Sequence, residues 1–258
     1  MLTPAQARPD EGPKEGHRDV SQSVHSGSDP ILVAFAVREE LRPFRKRAGD
    51  LAGWDLLLTG MGSRNAEWAI GRAWERRLPG FVLTCGFAGG LNPALAGGAV
   101  LFATDEGSRL PPVLRRLGAS PATFQTVDRV IATAAEKREL WRSTGADAVE
   151  MESGVVRSLC RDRGIPSATV RVISDTAAED LPLDFNRLVG ADGRLRYARL
   201  ATALARSPAS LPALLRLRRQ TRFAAERLAD VLVSLTADRS WWPAPGGGAA
   251  GRSVSGSR

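Results

Sequence analysis

The 258-residue sequence predicts a three-layer α/β fold: a mostly parallel, mixed central sheet covered by helices on both faces, with extra C-terminal helices. Short apolar runs alternate with amphipathic stretches up to about residue 178, a pattern typical of a parallel sheet with crossover helices. After Asp180 the pattern turns helical. These observations assign residues 30–243 to one folded domain. We expect the polar stretches 1–29 and 244–258 to be disordered.

The predicted strands are apolar runs with abrupt ends. They span residues 31–37, 54–60, 81–86, 99–106, 124–133, 146–151 and 167–174. The predicted helices carry apolar residues on one face and end at glycine or proline where these occur. They span residues 38–48, 61–80, 135–144, 152–164, 196–207, 211–220 and 221–237.

The composition restricts the chemistry. Both histidines, His17 and His25, lie in the N-terminal extension, which argues against a histidine-based triad and against a metal site. The two cysteines, Cys85 and Cys160, form no CxxC pair, and we expect both to be buried packing residues. The N-terminus lacks the apolar segment of a secretory signal, so the sequence predicts a cytoplasmic protein.

Acidic residues stand where three of the predicted strands end. Glu150 and Glu152 lie at the junction of the sixth strand and its helix, Asp175 follows the seventh strand, and Glu39-Glu40 follow the first. Because ligands of such sheets bind beyond the carboxyl ends of the strands, one crevice could collect these acids. Taken singly, each acid could equally be a helix cap or a first-turn residue.

A glycine-rich stretch, residues 85–98, follows the third predicted strand. Gly86, Gly89 and Gly90 permit close backbone approach and could present N–H groups to an anion. The stretch lacks the Gly-Lys-Ser/Thr of a nucleotide-binding P-loop, and residues 60–65 do not complete a dinucleotide fingerprint. We therefore expect no cofactor, with inorganic phosphate as the one candidate co-substrate.

Three motifs together resemble the nucleoside phosphorylase and 5′-methylthioadenosine/S-adenosylhomocysteine nucleosidase superfamily. They are CGFAGGLNPAL, AVEMES and VRVISD, in that order. Residues 126–153 and the arginine-rich residues 205–222 look most like the hopanoid-associated phosphorylase branch. That resemblance implies phosphorolysis of adenosylhopane with release of adenine. It also implies a homo-oligomer.

The resemblance implies a role for each matching residue. Asp175 matches the acid that protonates N7 of the departing purine, Glu152 the ribose contact, and Glu40, or Glu39 in a shifted register, the acid that orients water. Phe87 stands where the nucleosidases carry serine, which is a departure from the family pattern next to the nucleophile. The expected substrate-binding residues are Glu150, Met151, Glu152, Ser174, Phe87 and Ile131; those expected around the nucleophile are Arg38, Arg171, Gly89 and Gly90.

The implied reaction breaks an N-glycosidic bond by acid catalysis. Asp175 could donate a proton near neutral pH only if burial or neighbouring acids favour its protonated form, and Glu150 and Glu152 are expected to be those acids. A hydrolase needs an acid such as Glu40 to hold water, whereas a phosphorylase needs cationic and N–H donors such as Arg38 and Arg171. We favour phosphorolysis here. A nucleosidase and a non-catalytic nucleoside-binding protein are the alternatives.

Residues 194–222 contain eight arginines and no acid, within a net charge of +8. A packed helix with a solvated basic face is one interpretation of this segment. A basic amphipathic helix that makes peripheral contact with the inner membrane surface is the other, and it suits a lipid-linked substrate. Nucleic acid is not an expected partner, because aromatic residues are not interleaved with the arginines.

Overall fold

Eight strands form one mixed sheet in the computed structural model, which describes residues 30–190, 192–193, 196–238 and 240–242. The strands are β1 (Ile31–Phe35), β2 (Trp54–Leu58), β3 (Phe81–Gly90), β4 (Val100–Thr104), β5 (Ser120–Pro121), β6 (Phe124–Thr126), β7 (Ala148–Glu150) and β8 (Ser167–Asp175). The predicted disordered termini, including His17 and His25, lie outside the described residues.

The sheet is parallel at its centre and mixed at its edges. The strand order is β2-β1-β3-β8-β4-β5, and β2, β1, β3 and β8 run parallel to one another. Strand β4 runs antiparallel to β8, and β7 pairs antiparallel with the far end of β3 and parallel with β6. The predicted mixed, mostly parallel sheet is confirmed.

Eight helices accompany the sheet within the described part of the chain. They are α1 (Arg38–Arg47), α2 (Ser63–Trp74), α3 (Leu110–Arg116), α4 (Ala134–Thr144), α5 (Ser153–Asp162), α6 (Phe185–Leu188), α7 (Tyr197–Arg206) and α8 (Leu211–Ala237).

Two apolar layers hold these helices against the sheet. Alternate residues of a strand face opposite sides, so β1 contributes to both layers. Val33 and Phe35 pack with α1 and α8, whereas Leu32 and Ala34 pack with α2 and α5. The expected three-layer arrangement is confirmed.

Several elements differ from the sequence prediction. Strand β3 continues through the glycine-rich stretch to Gly90, because Gly89 and Gly90 pair with β7 and Gly89 also pairs with β8. The predicted strand 124–133 ends at Thr126, and the two predicted helices 211–220 and 221–237 form the single helix α8. Helices α3 and α6 and strand β5 were not predicted, because they are only 7, 4 and 2 residues long.

The cysteines lie in the two apolar layers. Cys85 of β3 packs in the layer under α1 and α8, and Cys160 of α5 packs in the other. Both are free thiols and both are buried. Burial raises the pKa of each thiol, to about 12 for Cys160, which opposes formation of a nucleophilic thiolate. These observations support the expected packing role.

Candidate functional site

Arg171 is the centre of a buried charged cluster in the middle of the sheet. It belongs to β8, pairs in register with Gly86 of β3 and is 2% exposed. Its Nη2 atom donates to Glu150 at 2.6 Å and lies 3.5 Å from Oε2 of Glu152. A buried charge of this kind is stable only with opposite charges beside it, which explains why acids interrupt apolar sequence on β7.

Glu150 is the structural anchor of the cluster. Oε2, which accepts from Arg171, also accepts from the backbone N–H groups of Glu152 and Ser153, at 3.0 and 2.6 Å, and Oε1 accepts from the Thr126 hydroxyl at 2.5 Å. Burial opposes ionisation, but Arg171 and these donors together hold the pKa of Glu150 below its ordinary value. With both oxygens engaged, Glu150 orients Arg171 and the first turn of α5.

Glu152 is the less constrained carboxylate. Its Oε1 atom accepts from the backbone N–H of Gly62, at the start of α2, at 2.8 Å. Burial and the nearby charges of Glu150 and Glu40 raise the pKa of Glu152 to about 7, although Arg171 opposes this. Glu152 therefore changes charge near neutral pH, whereas Glu150 does not.

Glu40 reaches the same cluster from α1. Its Oε2 atom accepts from the N–H groups of Ala36 and Val37 at 2.9 and 3.0 Å, and Oε1 accepts from Phe87 N–H at 2.8 Å. Burial raises the pKa of Glu40, while Arg171 and these N–H groups oppose the rise. A Cβ atom at Gly86 would lie 2.5 Å from Glu40 Oε1, so this glycine is what admits the carboxylate.

Asp175 ends β8 and contacts a cation. Lys137 of α4 donates to Asp175 Oδ2 at 2.5 Å and to the carbonyl oxygens of Thr176 and Glu179 at 2.8 and 2.9 Å. Ser174 Oγ donates to Asp175 Oδ1 at 2.7 Å. The expectation that Glu150 and Glu152 are the charges against Asp175 is wrong: they engage Arg171, and Lys137 is the charged group in contact with Asp175.

The remaining predicted site residues range from exposed to buried. Arg38 and Glu39 are exposed at the start of α1, which makes Glu40 the member of the pair that joins the cluster. Met151 is half-buried, and its carbonyl accepts from Ser63 Oγ at 2.9 Å. Ile131 packs with Leu91 and Val149 beside the end of β3.

Gly89 and Gly90 lie in a strand rather than in the predicted turn. A Cβ atom at Gly89 would lie 3.3 Å from Asp175 Oδ2 and 3.2 Å from a methyl group of Val149. At Gly90, the nearest contact would be the carbonyl oxygen of Asp175, at 3.4 Å. These glycines thus allow β7 and the Asp175 carboxylate to approach β3 closely.

Sequence reasoning missed Lys137, Thr126 and Gly62. Lys137 is the buried residue of α4, and its position three residues before the half-buried Leu140 was the available signal. Thr126 bonds to Glu150, and Gly62 bonds to Glu152 with a φ of 93°, a conformation that glycine adopts without strain. Neither contact is visible from local sequence.

The cluster has a defined electrostatic character. Three glutamates surround one guanidinium, so the cluster is net negative whenever at least two of the three are ionised. A cavity of about 10 Å³ borders Glu152 and Arg171, close to the smallest volume that holds one water molecule. Such a site favours a cationic centre and donors such as hydroxyl groups over an anion.

Comparisons with known proteins agree with this architecture. The family model of the phosphorylase superfamily matches residues 120–206. The 5′-methylthioadenosine/S-adenosylhomocysteine nucleosidase of Mycobacterium bovis is 38% identical over 68 residues, which cover 26% of this chain and 27% of that protein. The enzyme of that name from Shewanella halifaxensis is 24% identical over 207 residues, covering 66% of this chain and 87% of that protein.

The fold is also similar to a solved structure. The 5′-methylthioadenosine/S-adenosylhomocysteine nucleosidase from Colwellia psychrerythraea, in complex with adenine, superposes with a TM-score of 0.59 at 15% identity and covers 82% of this chain and 96% of that one. The matched family model, the curated relatives and the shared fold all agree with the resemblance of this chain to the superfamily of nucleoside phosphorylases and 5′-methylthioadenosine/S-adenosylhomocysteine nucleosidases.

Proposed function

We propose that this protein is an enzyme that hydrolyses the N-glycosidic bond of a 5′-substituted adenosine and releases adenine. The observation that carries the proposal is the buried cluster of Glu40, Glu150 and Glu152 around Arg171. Arg171 belongs to β8, the strand that ends at Asp175. The relatives' names, which describe nucleosidases of 5′-methylthioadenosine and S-adenosylhomocysteine, support the same reaction class.

The proposed reaction separates its charges between two parts of the site. As the bond breaks, the ribosyl group becomes cationic and adenine leaves as a developing anion. The Lys137–Asp175 pair supplies a proton, which Asp175 delivers to N7 of adenine. Glu152 accepts hydrogen bonds from the ribose hydroxyls and favours the cationic sugar in the transition state over the neutral substrate.

Glu40 is the proposed base for the attacking water. The water adds its hydroxyl group to the anomeric carbon, and its second proton passes to Glu40. The raised pKa of Glu40, which burial causes, makes its carboxylate a stronger proton acceptor than an ordinary glutamate. Release of that proton to solvent and reprotonation of the Lys137–Asp175 pair restore the enzyme.

The electrostatics favour water over phosphate, in contrast to our expectation from the sequence. A phosphate ion would face three glutamates with one arginine among them, and that arginine is already bonded to Glu150. The Phe87 N–H group, a candidate anion donor, is occupied by Glu40. Arg38, the other expected phosphate ligand, is exposed.

A lipid-linked substrate is the second candidate, with adenosylhopane as the specific molecule and phosphorolysis as the reaction. An open groove of about 500 Å³ between α6 and α7 favours it. The carbonyl of Gly193, in the segment that joins these helices, accepts from Met61 N–H at 3.2 Å, and the next residue, Gly62, donates to Glu152. A large 5′ substituent could therefore extend from the site toward this groove.

Adenine release from methylthioadenosine and from adenosylhopane, each with and without phosphate, tests the proposal. We expect adenine in phosphate-free buffer, and we expect Asp175→Asn to lower kcat by at least about 100-fold, the contribution of a general acid. Asp162→Asn, at an exposed position on α5, is the matched control and should keep full activity. Full activity of Asp175→Asn would remove the acid assignment, and a strict requirement for phosphate would establish phosphorolysis.

A further inference from the structure

The N-terminal half of α8 carries an exposed surface of mixed basic and apolar character. We define this surface, the basic face, by six exposed residues: Leu211, Leu215, Arg216, Arg218, Arg219 and Arg222. Leu211 and Leu215 are 46% and 47% exposed. The buried residues of α8 begin only at Ala224, so the first thirteen residues, about 20 Å of helix, lie outside the core.

Helix α7 extends this surface. None of its residues whose side chains are described is buried, although it contains Leu200 and Leu204. The groove between α6 and α7 is lined by Arg187, Arg199 and Arg206 with a single acid, Asp184, which pairs with Arg187. Arg199 Nη1 donates to the Arg187 carbonyl at 3.1 Å, so the positive charges of Arg199 and Arg206 face the groove with Asp184 as its one acid.

We propose that the basic face and α7 dock this protein on the surface of an anionic lipid bilayer. Exposed leucines interleaved with arginines are the composition of a helix that lies in the interfacial plane, where leucines enter the acyl boundary and arginines bind phosphate headgroups. The segment 194–222 has no acid to oppose that attraction. The proposed contact is peripheral. Within the described residues, no helix is both long and apolar enough to cross a membrane.

The surface has charge complementarity with lipid and lacks features of other occupants. A second copy of this chain would bring the same arginines against one another. A single-stranded nucleic acid would be bound by bases stacking on aromatic side chains, whereas Phe223 is the one aromatic residue of α8. The proposal does not depend on the reaction proposed above.

Co-flotation with vesicles tests the proposal. We expect the full chain to float with vesicles containing phosphatidylglycerol, to bind phosphatidylcholine vesicles weakly, and to lose binding as salt increases. Arg216→Glu/Arg218→Glu/Arg219→Glu should weaken binding more than about tenfold. Arg76→Glu/Arg77→Glu/Arg161→Glu is the matched control, since it makes the same charge change at exposed positions in the segment that follows α2 and on α5.

Leu211→Ser/Leu215→Ser separates insertion from simple charge attraction. It should reduce the binding that remains at high salt, while the folded state, followed by circular dichroism, is unchanged. Failure of the wild type to float with anionic vesicles, or equal loss in the control triple variant, would overturn the proposal. So would tighter binding to an oligonucleotide than to the vesicles, or dissociation of an oligomer by the basic-face variants in light scattering.

Discussion

The ammonium group of Lys137 lies 2.5 Å from Oδ2 of Asp175, and both side chains are almost completely buried. All three donors of the ammonium are used, by Asp175 and by the carbonyls of Thr176 and Glu179. Lys137 thus joins α4 to the end of β8 and to the loop after it. It fixes the position of one carboxylate oxygen, while Ser174 fixes the other.

Replacing one partner of this pair should destabilise the protein more than replacing both. Lys137→Met leaves the buried Asp175 carboxylate unpaired, which we expect to lower the free energy of unfolding by about 3–5 kcal/mol. Lys137→Met/Asp175→Asn removes the charge as well and should recover a large part of that loss. Urea denaturation of the wild type, both single variants and the double variant gives the coupling energy. Additive effects would contradict a direct ion pair.

Lys137 should also affect catalysis through Asp175. At a temperature where Lys137→Met remains folded, we expect a kcat at least about tenfold below that of the wild type and a shifted pH–rate profile, because the proton-donating group has lost its partner. Lys46→Met, at an exposed position on α1, removes a lysine without touching the site. An unchanged pH–rate profile in Lys137→Met would mean that Lys137 has a structural role and does not act through Asp175 in catalysis.

The raised pKa of Glu152 predicts a pH-dependent stability. In the folded state Glu152 keeps its proton up to about pH 7, whereas in the unfolded chain it loses the proton near 4.5. The folded state therefore binds more protons between these values, and the contribution of Glu152 is complete below pH 4.5 and lost as the pH rises through 7. The total is about 3 kcal/mol.

Glu152→Gln should remove this dependence. Because glutamine does not ionise, the stability of the variant relative to the wild type should increase by up to about 3 kcal/mol from pH 4.5 to pH 8. Denaturant unfolding at several pH values measures the difference. Glu67→Gln, at an exposed position on α2, is the control. A constant difference between Glu152→Gln and the wild type would mean that Glu152 ionises normally in the folded protein.

Gly86→Ala tests the close approach of Glu40 and Arg171. The added methyl group would lie 2.5 Å from Glu40 Oε1 and 3.0 Å from an Arg171 nitrogen, so the cluster must shift. We expect a loss of about 1–3 kcal/mol in stability and at least tenfold in kcat. Gly71→Ala places a methyl group in open space on α2 and should stabilise the protein by about 0.5–1 kcal/mol. Wild-type activity in Gly86→Ala would mean that Glu40 does not take part in catalysis.

The sequence predicts the fold well where an element is long and uniform. Strands β1, β2 and β8 are apolar over most of their length, and their ends were predicted to within two residues. Strand β3 was predicted four residues too short, because its last glycines resemble a turn locally. They are strand residues because β7 and β8 pair with them, and that pairing depends on contacts distant in sequence.

Only part of the site was predicted, because here too some contacts join residues distant in sequence. Acids at strand ends are visible in sequence, and Glu40, Glu150 and Glu152 do gather around Arg171. The partner of Asp175 is not visible, because Lys137 is separated from it by 38 residues and lies on a helix with arginines at its exposed positions. Which acid faces which cation is decided by packing, so the expected neighbours of Asp175 were wrong.

Trp241 shows how the chain after α8 contributes to stability. It is 3% exposed and makes edge-to-face contacts with Trp54, Phe81 and Trp242, at centroid distances of 5.5–6.1 Å. Trp241→Ala should therefore lower the free energy of unfolding by about 3–5 kcal/mol, as expected for a large side chain removed from a core. Trp68→Ala, at a site 70% exposed, should change it by less than about 0.5 kcal/mol. Guanidinium unfolding of both variants measures the difference, and equal effects would mean that residues beyond α8 are not part of the folded core.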